Sequence, residues 1–183
     1  MDIVARAKGM LLTPAQEWSA VAAESTDVAT LFRSYVMPLA GVSALGAFLA
    51  GLFSGMIGFA IASAIITFVM ALISVFVIGK IAEILAPNFG APQDSLAAMK
   101  LAAHAPTAAW IAGFFAFVPI LGGLIALAGG IYSLYLYYLG GPPVMRVPQD
   151  KALMFTIAIV VVAIVVYAVL AIFVGGLIVR AFI

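Results

Sequence analysis

No charged residue falls between Arg33 and Lys80, none between Lys100 and Arg146, and none between Lys151 and Arg180. Few folds accept uncharged apolar runs of that length. Charged residues make up 8% of the chain, against roughly 25% in an ordinary globular domain. So few charges cannot cover a water-soluble domain of 183 residues, and the solvent for most of the surface must be lipid. Lipid offers no hydrogen bonds, so each span must satisfy its own backbone as a helix. The expected fold class is all-α integral membrane: a five-transmembrane-helix bundle preceded by a short amphipathic helical region.

The first span is expected from about Ser34 to Phe53, with Arg33 and Tyr35 as interface anchors and Pro38 in its first turns. An uncharged turn around Gly55 leads to the second, about Met56 to Ile78, whose helical pattern continues to Pro87. The third, about Pro106 to Val118, is short. Gln93 to Ala105 reads as its amphipathic lead-in, carrying Leu96, Met99, Lys100 and His104 and kinking at Pro106. The fourth covers about Leu121 to Leu139 and ends in Tyr132, Tyr135, Tyr137 and Tyr138, an interface anchor. A rigid Pro-rich loop, Gly140 to Lys151, precedes the fifth, about Ala152 to Val179, which Arg180 closes.

Two short helices are expected before the first span. Met1 to Leu12 places Ile3, Val4, Ala7 and Leu11 at helical spacing, with Asp2, Arg6 and Lys8 elsewhere on the wheel; such a segment lies on a membrane surface. Thr13 offers an N-cap, Pro14 suits the first helical position, and Gln16 completes a capping box. Trp18, Val21 and Ala22 form a stripe, and Glu17 and Glu24 lie on another face of a helix ending near Ser25. No short basic segment leads directly into an apolar run here, so the first span is expected to act as an uncleaved signal.

Five spans put the termini on opposite sides. With the amino terminus in the cytoplasm, Arg6, Lys8, Arg33, Lys80, Lys100, Arg146 and Lys151 fall on the cytoplasmic side and only Arg180 outside, as the positive-inside rule requires. The acidic residues share that side, and the hairpins near Gly55 and Gly122 hold no charge. The working face is therefore expected to be cytoplasmic, in an inner (plasma) membrane.

Catalytic constellations are missing. The chain has no Cys and a single His, His104, whose neighbour one turn back, Lys100, repels cations. Ser43, Ser54, Ser63, Ser74 and Ser133 have no local His or carboxylate to activate them, and no Gly-rich phosphate loop is present. No catalytic residue, metal site or cofactor is expected. Lys80 and Glu83, three apart near the end of the second span, form a candidate membrane-depth ion pair or an interfacial one. Small residues recur every four positions at Ala47, Gly51 and Gly55, and again at Gly122, Ala126 and Gly130. Such faces let helices approach closely, inside one bundle or between copies.

Several stretches resemble the bacterial branch of the Ypt/Rab-interacting (Yip) family: "TPAQEW" followed by Glu24, "YVMPL", "FGAPQDSLAAMKLAAHAP", "VPILGGLIALAGGIYSLYLYYLGG" and "VPQDKA". Their order and spacing hold along nearly the whole chain. The resemblance implies residues 1–33 as a cytoplasmic helical region and 34–183 as a five-span Yip-type domain. Eukaryotic members are Golgi and endoplasmic-reticulum proteins linked to Rab-type GTPases through a long cytosolic amino-terminal region. Only about 33 residues precede the first span here, so GTPase binding is not expected.

The expected function is a non-enzymatic membrane organiser or trafficking-like adaptor, with a small-solute or ion transporter as the alternative. Glu17, Trp18, Glu24, Lys100, Arg146 and Lys151 are the candidate docking residues, with the glutamates pairing with Lys100, Arg146 or Lys151. Expected partners are the lipid bilayer, a second copy or other membrane proteins; nucleic acid is not among them, because the net charge is only +1.

Overall fold

The structure, a computed structural model, describes residues 2–53 and 55–182; in the last helix the side chains are described to Val166 and at Ala168. Ser54 and the Arg180 side chain lie outside that description. Among the described residues all regular structure is helical. Four segments are long and apolar enough to cross a membrane: Val28–Leu52, Ile57–Phe89, Leu121–Met145 and Gln149–Val166.

Helices α1 (Ile3–Leu12) and α2 (Pro14–Ala23) form a hairpin joined by Thr13 alone. Asp2 caps α1 by accepting from the amides of Val4 and Ala5. The capping box expected at Thr13 does not form: its hydroxyl turns back to the Gly9 carbonyl, because Thr13 also terminates α1.

The first long segment starts at Val28, earlier than expected, where Asp27 accepts from the Thr30 amide and hydroxyl. It comprises α3 (Val28–Leu31), one π turn (Phe32–Val36) and α4 (Met37–Leu52). Pro38 explains the π turn. It has no N–H for the Ser34 carbonyl and its ring crowds that position, so the helix widens just before it. Tyr35 and Val36, carried by that turn, are fully buried.

Helix α5 (Ile57–Leu85) packs along α4, the most extensive helix pair. A Cβ at Gly51 would lie 2.5 Å from the Ala60 Cα, and the Ser63 hydroxyl donates to the Ala47 carbonyl at 3.1 Å. Gly55 is not part of this contact. It sits in the turn at φ 75° with open space around it, in the left-handed region that glycine tolerates.

Helix α6 (Ser95–His104) is not an amphipathic lead-in. Every residue from Ala97 to His104 is buried, with α5, α8 (Leu121–Met145), α2 and the π turn packed around it. Its alanines let all these neighbours close in. Leu101 joins a cluster with Trp18, Leu136 and Phe155, while Met99 joins one with Tyr35, Leu39 and Trp110. After Pro106 come α7 (Thr107–Gly113) and a 3-10 turn, Phe114–Phe117. These two alone rise roughly 20 Å, short of a hydrocarbon core of about 30 Å.

The expected Pro-rich loop is partly helix, since α8 runs through Pro142 and Pro143 to Met145. Proline's fixed φ is helical, and Gly140 and Gly141 are buried against Leu101, Trp18 and Phe155, so packing holds the turn. Arg146 then reverses the chain at φ 59°, and α9 (Ala152–Phe182) follows.

Candidate functional site

Arg6, Glu17, Glu24, Lys100, His104, Tyr35 and Thr107 converge where the α1–α2 hairpin meets α6, α8 and the π turn. The hairpin reversal at Thr13 brings Arg6 against α2. Arg6 donates to Glu17 Oε1 and to Glu24 Oε2, each at 2.7 Å, so both glutamates pair within the hairpin rather than with Lys100, Arg146 or Lys151. Glu17 also lies over Gly9, where any Cβ would collide with its carboxylate. A polar pocket of about 270 Å³ opens here, lined by Asp2, Ala5, Arg6, Glu17 and Glu24.

Lys100 is buried on α6. Its ammonium donates to the carbonyls of Glu24 at 2.6 Å and Val21 at 3.1 Å. These lie at the helix C-terminus, where the last carbonyls lack their next-turn amides and a cation meets the negative end of the helix dipole. Lys100 thus closes α2, one turn from His104.

Trp18 is fully buried. A Cβ at Gly140 would lie 2.8 Å from its ring, so the indole sits directly on the α8 backbone. His104 lies between Trp18, edge-on at 6.1 Å, and Tyr35 at 4.3 Å. His104 Nδ1 meets the Lys100 carbonyl at 2.9 Å. A carbonyl only accepts, so Nδ1 carries the proton and Nε2 is bare. Nε2 and the Trp18 indole N–H are both buried without a hydrogen-bond partner. The Thr107 hydroxyl donates to the His104 carbonyl at 2.5 Å, so Tyr35 must donate to Thr107, at 2.7 Å.

The other candidates lie apart. Arg146 and Lys151 are exposed; Lys151 reaches toward Gly90, whose φ is 79°. Lys80 donates to Glu83 at 2.7 Å and approaches the Ser95 hydroxyl at 3.4 Å, tying α5 to the start of α6. Tyr132 donates to the Leu11 carbonyl at 2.8 Å, and Tyr135 and Tyr138 line an apolar groove against α9 that includes neither Lys80 nor Glu83.

On α8, Gly122 packs against the Phe115 carbonyl, but Ala126 is exposed and Gly130 has nothing near it. The buried row is instead Gly122, Gly129, Ser133, Leu136 and Gly140, because the face that α8 turns to α7 and α6 advances in alternating steps of three and four, repeating every seven, and not in uniform steps of four. Gly129 lies against Ala108 and Ala112, and Ser133 accepts from the Ala109 amide at 3.1 Å.

Among the described residues no group of three or more His, Asp and Glu could hold a metal ion. The arrangement binds and positions helices and offers no activated nucleophile. Arg6, Thr107 and Gly140 belong to it without having been candidate docking residues, and Tyr35, expected as an interface anchor, is instead fully buried within it.

No curated protein and no solved structure matches the chain. The family model for the Yip1 domain matches residues 8–179, from the first turns of the hairpin into the last helix, so this α-helical membrane protein belongs to the Yip1-domain family.

Proposed function

We propose that the chain is a non-enzymatic, five-span adaptor of the family's bacterial branch, seated in the inner membrane with its amino terminus in the cytoplasm. In this reading residues 1–33 form the cytoplasmic helical region and 34–183 the spanning domain. The segment of α7 and its 3-10 turn, extended by α6 across Pro106, makes the additional crossing. The partner is another membrane protein or a second copy.

One observation carries the reading. Trp18, Lys100 and Tyr132 lock the hairpin to the bundle, so α2 presents a fixed outer face of Ala15, Gln16, Ser19, Ala20 and Ala23, all exposed. A helix held this firmly, with a small uncharged outer face, suits docking of a partner surface. Trp18 itself is buried and cannot touch a partner.

Photocrosslinking from Gln16 and from Ala20 in native membranes tests this. Recovery of the same protein, or of a second copy, from both positions is expected. Adducts with lipid alone from both positions would overturn the adaptor role.

A further inference from the structure

Lys8 has no hydrogen bond or ion pair among the described residues. It stands on α1 between Val4 and Leu12, one turn away on either side, and these are 71% and 68% exposed. A cation centred in an exposed apolar row suits neither bulk water nor hydrocarbon. It suits their boundary, with the alkyl stem on apolar surface and the ammonium at headgroup level.

Two grooves lie beside this row. The first, about 450 Å³, runs between α1 and α4, with Lys8 on its lining together with Leu11, Pro38, Val42 and Ile111. The second, about 350 Å³, runs between α7 and α8 past Gly129 and shares Leu11 and Ile111 with the first. The two therefore flank one ridge. The Tyr132 hydroxyl, bonded to the Leu11 carbonyl, fixes α1 as their common wall.

We propose that these grooves hold the two acyl chains of one anionic phospholipid whose phosphate pairs with Lys8. Two apolar slots that share Leu11 and Ile111, with an unpaired ammonium on the lining of the first, match a molecule with two chains and one negative charge. The lipid completes the flank of the hairpin, filling the gap between α1 and the spans.

The test is native mass spectrometry of the full-length protein, titrated with phosphatidylglycerol or with phosphatidylcholine of the same chains. The wild type retains one phosphatidylglycerol per chain in preference to phosphatidylcholine. Lys8→Gln weakens phosphatidylglycerol retention about five-fold, the scale of one basic residue near an anionic surface, and leaves phosphatidylcholine unchanged. Val4→Glu, which sets a carboxylate one turn from Lys8 at an exposed position, does the same. Val42→Trp fills the first groove and lowers retention of both lipids; Ile111→Phe serves if that variant fails to fold. An unchanged ratio of the two lipids in Lys8→Gln and Val4→Glu overturns the site. So does undiminished retention in the groove-filled variant, or a lipid-free dimer of the wild type.

Discussion

Lys100 holds Glu24 by its backbone and not by its carboxylate. The ammonium lies 2.6 Å from the Glu24 carbonyl oxygen, while the carboxylate turns to Arg6 at 2.7 Å. A single cation on α6 therefore terminates α2, and the hairpin carries its own internal ion pairs.

Lys100→Met keeps the stem and removes the donor. The carbonyls of Val21 and Glu24 lose their charged partner inside the protein, at a cost of about 1.5–3 kcal/mol. Chemical denaturation should show that loss. Limited proteolysis should cut first between α2 and Val28, and Lys100→Arg should recover part of the stability.

Glycines on α8 should divide by face. Gly140→Ala drives a methyl into Trp18 and Leu101 and should free the indole, whose full loss from a core costs about 3–5 kcal/mol; a red shift in tryptophan emission reports it. Gly130→Ala and Gly123→Ala meet open space and should stabilise α8 by up to about 1 kcal/mol each. The four-residue pattern in the sequence implies the opposite for Gly130.

Ile120 sits at φ 64° with the Leu121 amide on the Pro119 carbonyl at 2.7 Å, a γ-turn that strains a β-branched residue. Its side chain is 85% exposed and contributes little packing. Ile120→Gly should raise the melting temperature, corresponding to roughly 1 kcal/mol or more.

Charge placement made the membrane class legible, because stretches such as Ser34 to Gly79 leave the backbone no alternative to helix. The approximate spans followed from the same runs. What escaped depends on neighbours distant in the chain. Gln93 to Ala105 reads as amphipathic because Lys100 and His104 are polar, yet both are buried, since each finds a carbonyl or ring on another element. Arg6 reads as one face of a surface helix, and only the reversal at Thr13 shows that it points at Glu17. Gly129 and Gly140 matter through Ala112 and Trp18, partners that no spacing within α8 can name.

The hairpin is docked as a fixed platform, on the side we propose to be cytoplasmic, and adjacent positions on α2 test both directly. The chain has no cysteine, so Ala20→Cys, exposed, and Val21→Cys, fully buried, can be compared without background. A membrane-impermeant maleimide should label Ala20→Cys in inside-out vesicles, should leave Val21→Cys unmodified, and should label neither in right-side-out vesicles. Equal labelling of the two positions would contradict the docked hairpin, and labelling of Ala20→Cys only in right-side-out vesicles would contradict its cytoplasmic placement.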